Sequence, residues 1–234
     1  PNLFGQGYDR LLHEVEARVS RGEFRHPPVG PIGMHLELAD AHWGLGVQAA
    51  IGNLLGTFVL HDEKDLQVFR QCARRAWGGG RQAPNATVSS FDRKLVRVPQ
   101  NRLPPQRYAT VQSVLRCNHP THSHVVWNTL IDQGRVEATV LVDDFEQGKD
   151  AIFRGNARPA SKAYDVTGMV FEVKGSGTQV SRQTLRDNQK TVRLSVAGQD
   201  DEGPKRQLQS RLKNAALQLE AHVAEELRLD ACMK

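Results

Sequence analysis

Two stretches of heptad-like spacing, one at each end of the chain, constrain the fold more than anything between them. Near the amino end Tyr8, Leu12, Val15 and Val19 recur at steps of four, three and four. Near the carboxyl end Leu212, Ala216, Leu219, Val223 and Leu227 step by four, three, four and four, interspersed with Arg211, Lys213, Glu220, Glu225 and Glu226. Such spacing gathers apolar side chains into one stripe of a helix, and a stripe needs a partner. Neither helix has an evident partner in its own half of the chain. The economical arrangement is that they pair with each other, antiparallel, with roughly 170 residues between them folded as a globular insert at the tip. Each end covers only about three heptads, fewer than secures a coiled coil, so two amphipathic helices packed on one ordinary domain is the competing arrangement.

The punctuation suits an insert. Ser20-Arg21-Gly22 closes the first periodic run, and His26-Pro27-Pro28 forbids helix continuation, because proline lacks the donor and disfavours helical geometry in the residue before it. Asp200-Asp201-Glu202-Gly203-Pro204 places acids and a proline where a helix begins. The expected organisation is a coiled-coil stub over 1–28, a globular region over 29–197 with subdomains at about 29–116 and 117–197, and a second stub over 198–234. Because the chain starts at Pro1 and its last helix runs on without a cap, an excised piece of a longer protein is expected.

An apolar fraction of 39% over 234 residues can fill one sizeable core or two small ones. No run approaches the roughly 18 apolar residues of a membrane span, so no membrane role is expected. Cys72, Cys117 and Cys232 are odd in number and unpatterned, which suits free thiols in a reducing compartment. The formal charge of +5 is unevenly spread: from Lys64 to Arg116 stand eleven lysines and arginines against two acids, Asp65 and Asp92, a local net charge of +9. Such a field attracts polyanions or simply solvates one face.

Between the ends the pattern is mixed α+β. Ile32, Met34, Leu36 and Leu38 alternate with polar residues after the Gly30-Pro31 turn and predict a strand. Trp43, Val47, Ala50 and Leu54 predict a helix, Thr57 to Leu60 a strand, and Leu66, Phe69, Ala73 and Ala76 a helix closed by Gly78-Gly79-Gly80. From Arg81 to Tyr108 the prolines predict surface loop with one strand near Thr87-Val88. Then follow a helix from Val125 to Ile131, a strand from Ala138 to Val142, a helix from Phe145 to Arg154, and a hairpin of Ala163 to Val166 and Met169 to Val173 turning at Thr167-Gly168.

These residues carry a resemblance. Gly30-Pro31-Ile32-Gly33 with its strand, Ala50-Ile51-Gly52-Asn53-Leu54-Leu55 leading to Phe58-Val59-Leu60-His61-Asp62, and Asn128-Thr129-Leu130-Ile131-Asp132 followed by Val136-Glu137 resemble the hinge domain of structural-maintenance-of-chromosomes (SMC) proteins, across about residues 30 to 197. Among SMC types the chain is most similar to the sixth subunit, partner of the fifth in the SMC five-six genome-maintenance complex, in plant or algal versions. The resemblance implies two small α/β subdomains between antiparallel coiled-coil stubs. It further implies a doughnut-like heterodimer with the hinge of the fifth subunit, and residence on nuclear chromosomes. The late strands and glycines of the family match Gly168 to Gly177, so Gly168, Val170, Phe171, Val173, Gly175 and Gly177 are the implied interface. The residues themselves agree, since Val170 to Val173 ending at Gly175-Ser176-Gly177 reads as an edge strand or as a covered hairpin. One departure stands out: where the family shows a Thr-x-Asp-Gly-Asp-like turn, this chain has Asp165-Val166-Thr167-Gly168-Met169.

The resemblance also implies DNA, single-stranded above all. Arg74, Arg75, Arg81, Arg93, Lys94, Arg97, Arg102 and Arg107 would track phosphates, with Trp77, Phe91 or Tyr108 for base stacking or as ordinary core residues. About six neutralised phosphates give a log–log salt slope of about −4 on single strands. Arg182, Arg186, Lys190, Arg193, Lys205 and Arg206 would extend that path or keep the junction solvated. No Gly-x-x-x-x-Gly-Lys-Ser/Thr loop occurs, so no nucleotide site and no enzyme activity are expected in this segment, an SMC protein's ATPase residing in its head. Cys117, His119, His122 and His124 put four potential zinc ligands within eight residues, but the usual paired spacing is missing and no metal or other cofactor is assigned. Two rival classes remain: a hinge-like module of an SMC-related chromatin silencing factor, and a metal-binding enzyme domain built on the histidine loop.

Overall fold

The computed structural model describes residues 4, 6–78, 83–174, 177–182 and 194–197. The chain divides into two units, 1–197 and 198–234, and the second, with the heptad run that begins at Leu212, lies outside the described residues. Along the first unit come α1 (Gln6–Ser20), a 3-10 turn (Ile32–His35), β1 (Leu36–Leu38), α2 (Gly44–Ile51), β2 (Phe58–Leu60), α3 (Glu63–Trp77) and β3 (Ala86–Val88). After a long loop follow β4 (Ala109–Thr110), β5 (Leu115–Cys117) and α4 (Ser123–Thr129) with a π turn (Leu130–Gly134). The chain continues through β6 (Thr139–Val142), α5 (Phe145–Ile152), β7 (Lys162–Asp165), β8 (Met169–Lys174), β9 (Gly177–Arg182) and β10 (Ser195–Val196).

Helix α1 already has a partner in its own half of the chain, which corrects the reading that it has none. Leu11 and Val15 are buried in one apolar cluster with Phe58, Leu60, Leu66, Phe69, Cys72, Ala73 and Ala76 of β2 and α3. The reason lies in α3, whose Leu66, Phe69, Ala73 and Ala76 form a stripe of the same helical period. Asp62 caps α3 by accepting from the backbone N–H of Lys64 and Asp65, both at 2.9 Å, and Gly78 ends it in the left-handed conformation, φ 64. Polar contacts reinforce the pair: Arg75 donates to Glu14 at 2.8 Å, and the buried Arg18 donates to Glu23 and to Gln71, each at 2.9 Å.

Three sheets result, ordered β10-β1-β5, β2-β3 and β4-β6-β7-β8-β9. The predicted strand over 32–38 shrinks to Leu36–Leu38, because Ile32 and Gly33 donate instead to the carbonyls of Thr57 and Leu55, at 3.0 and 2.8 Å, in the turn before it. The cut expected between 116 and 117 falls inside β5, and the strands on either side interleave: β4 joins the five-stranded sheet while β5 pairs with β1. One central core, containing Leu36, Ile51, Leu55, Val125, Leu130, Leu141 and Tyr164, spans both halves. A smaller one packs α5 on β6, β7 and β8 through Ala151, Ile152, Val140, Ala163 and Phe171.

Candidate dimer edge and basic surface

The resemblance puts the interface on β8 and the segment that follows it. β8 is not an edge: it pairs antiparallel with β7 on one side and β9 on the other. The edge on that side of the sheet, among the described residues, is β9, missed at the sequence level because Gly177-Thr178-Gln179-Val180-Ser181-Arg182 holds a single apolar residue and shows no alternation. Val170 and Phe171 are buried, at 4% and 0% exposure, and belong to the core. Gly168 is a turn glycine, φ 82, held by Asp165, whose Oδ1 accepts from Thr167 N–H at 2.9 Å, Thr167 Oγ1 at 2.7 Å and Met169 N–H at 2.9 Å. The shifted acid of this turn thus closes the hairpin. Gly175 lies outside the described residues, and Gly177 opens β9.

Val173 keeps a surface role at 45% exposure. It shares a sheet face with Phe171, two residues back, and Val180 lies opposite Phe171 across the β8–β9 ladder. Phe145, the first residue of α5, stands with its ring 5.5 Å from that of Phe171. Phe145, Val173 and Val180 are 43%, 45% and 37% exposed, so the cover that α5 gives the sheet runs out beside the β9 edge. Sequence reading overlooked Phe145 because it fits a helix start.

The basic residues fall on two elements. On α3, Arg75 is held by Glu14, while Arg74 lines a cleft of about 360 Å³ with Arg70, Trp77, Pro84 and Ala86. On the loop between β3 and β4, Arg93 is ion-paired to Asp132 at 2.7 Å and Arg107 donates to the Asn156 carbonyl at 3.3 Å. Lys94, Arg97 and Arg102 are exposed and have no ion pair among the described residues. Arg81 lies outside those residues, as do Arg186, Lys190, Arg193, Lys205 and Arg206, and the side chain of Arg182 is likewise undescribed.

Of the three aromatics, Phe91 is a core residue at 5% exposure, which removes it as a stacking platform. His61 Nδ1 accepts its N–H at 3.1 Å, and its carbonyl lies 2.9 Å from His124 Nε2. Tyr108 is engaged as well: the Arg107 guanidinium sits 5.1 Å over its ring and its hydroxyl reaches Asp150 at 3.4 Å. Trp77 is half-buried against the edge of Tyr8, 5.5 Å between centroids, and contributes to the α3 cleft.

The histidine loop folds onto itself. His119 Nδ1 accepts the backbone N–H of Thr121 and His122 at 3.3 and 2.9 Å, and burial pushes the Cys117 thiol up and the His119 and His122 imidazoles down. Among the described residues no three ligating side chains are placed to hold a metal ion.

No protein-family model matches the chain. Structural maintenance of chromosomes protein 6B of Arabidopsis thaliana is 31% identical over 171 residues, 72% of this chain and 16% of that protein. Structural maintenance of chromosomes protein 6 of Saccharomyces cerevisiae is 28% identical over 206 residues, 86% of this chain and 17% of that protein. The chain therefore spans about a sixth of the length of these relatives. The crystal structure of the S. pombe Smc5/6 hinge domain has the same fold, with a TM-score of 0.68 and 19% identity over 84% of this chain and 70% of that one. Mixed α/β architecture, hinge topology and relatives of the sixth type in plants and yeast together identify this chain as the hinge region of an SMC protein, of the sixth-subunit type.

Proposed function

We propose that this hinge dimerises with the hinge of a fifth SMC subunit through the β9 edge, and that its free cations bind DNA, single strands in preference. The observation that carries the reading is an edge strand, unpaired on its outer side among the described residues and bordered by exposed Phe145, Val173 and Val180. An edge offers unpaired backbone donors and acceptors, and an adjoining apolar patch gives an incoming strand something to bury. The name of the S. pombe Smc5/6 hinge supports the choice of partner. For DNA, the supporting features are Lys94, Arg97 and Arg102 on the loop, and the α3 cleft where Arg70 and Arg74 flank Trp77, a geometry suited to one stacked base between two phosphates. Chromosome maintenance and repair in the nucleus belong to the same reading.

Light scattering of the chain alone and mixed with a fifth-subunit hinge tests the pairing. A stable one-to-one complex is expected, and Val180→Lys is expected to weaken it about tenfold or more while the exposed site leaves folding stability within about 0.5 kcal/mol. A tight homodimer that ignores the partner would overturn the heterodimer reading.

A further inference from the structure

A second cleft lies where α2 ends over the five-stranded sheet. Its volume is about 510 Å³, within the size range of small-molecule sites. α2 covers the sheet face at Leu141 and Tyr164 but stops at Ile51, so the next residues of that face, the buried Thr139 and the exposed Lys162, line the cleft together with Gly134 and Arg135 of the following turn. Gln48 and Tyr164 line the floor at 2% and 5% exposure. The Tyr164 hydroxyl has no hydrogen-bond partner among the described residues. Burial, with the Glu172 carboxylate adding to it, pushes this phenol up, so it remains a donor. At the rim stand Arg135, with no side-chain partner among the described residues, and Lys162, shared with Glu172 at 3.4 Å. Arg135 has φ 48, the left-handed region in which non-glycine residues are uncommon, and glycine would be free of strain there. Among the described residues no carboxylate is in the lining itself, and the Glu172 carboxylate beside it is the one that Lys162 pairs with.

We infer that this cleft binds a multivalent anion of metabolite size, held by Arg135 and Lys162 at the rim and by the Tyr164 hydroxyl on the floor. Phosphate and carboxylate share the chemistry, since both accept forked hydrogen bonds from a guanidinium. The dimensions fit a small molecule, whereas a nucleic-acid strand would need a continuous groove.

The 234-residue chain is titrated with inorganic tripolyphosphate and, separately, with citrate at constant ionic strength, followed by calorimetry and by the thermal midpoint. Saturable one-site binding of at least one probe is expected, with a midpoint that rises with its concentration. Preference for tripolyphosphate assigns a phosphate ligand, and preference for citrate a carboxylate. Arg135→Gly, which keeps the backbone conformation, is expected to weaken binding about tenfold, the loss of one charge-assisted contact. Tyr164→Phe is expected to weaken it about threefold without lowering the unliganded midpoint, because it removes an unpartnered hydroxyl. The inference fails if neither probe binds saturably, or if both variants keep full affinity. It fails equally if oligothymidylate displaces the probe and Arg135→Gly loses both ligands, since the cleft would then belong to a nucleic-acid surface.

Discussion

Asp65 is 1% exposed and spends its carboxylate on backbone: it accepts the N–H of Arg25 at 2.8 Å and of His26 at 3.2 Å, pinning the junction after α1 to the first turn of α3. Asp65→Ala should cost about 1–3 kcal/mol, because it leaves two part-buried backbone donors without their acceptor, measured by chemical denaturation; no loss would mean the junction is held otherwise. In the sequence Asp65 looked like one of two acids diluting a basic stretch, because burial cannot be read from charge. The same blindness placed Phe91 among stacking candidates, whereas histidines 26, 61 and 122 surround its ring at 5.6, 5.4 and 4.9 Å. Burial, with His119 adding to it, lowers His35 to about 4 from 6.5, and burial lowers His119 and His122 too. The folded imidazoles thus hold protons less tightly than the unfolded ones. Their contribution is complete above pH about 6.5 and drains as pH falls toward 4. For His35 that is at most about 3 kcal/mol, reduced by screening of its exposed edge. Denaturation midpoints at pH 7 and pH 5 should differ in this sense, and His35→Phe should flatten the difference.

At the scale of elements, the helices after Pro28 were legible because their caps and periods are local, and so was the β7–β8 hairpin with its Asp165-to-Gly168 turn. Pairing was not legible. The stripe of α1 matches any stripe of its own period, and α3 at Leu66 to Ala76 supplied one, but spacing contains no address. Leu11→Ala should therefore destabilise the globule itself by about 2–5 kcal/mol, as a core deletion does. Unchanged denaturant midpoints would show that α1 is an independent arm. The edge strand was misplaced by one because β9 lacks the apolar alternation that marks a half-buried ladder. Gly148 on α5 shows a tighter dependence: a Cβ there would stand 2.5 Å from the Phe171 ring. Gly148→Ala should push α5 off β8 at a cost of about 1–3 kcal/mol, seen as a lowered melting temperature.

For the whole molecule, the net charge of the Lys64 to Arg116 stretch overstated its free charge. Glu14 and Asp132 neutralise Arg75 and Arg93, and Arg107 is committed to Tyr108 and Asn156. Of the eight cations, Arg74, Lys94, Arg97 and Arg102 remain with neither an ion pair nor a carbonyl or ring partner among the described residues. Single-stranded DNA binding should then fall with salt at a log–log slope of about −3 rather than −4; a slope near zero would remove the electrostatic groove. The packing of α1 on α3 has a mechanical side. Tension along α1 would load the Leu11 and Val15 contacts and the Arg75–Glu14 tie in shear, all at once, rather than peel them one by one. A strain that shifts α3 would also alter the width between Arg74, Trp77 and Pro84, so a tug on the amino-terminal helix would be felt at that cleft.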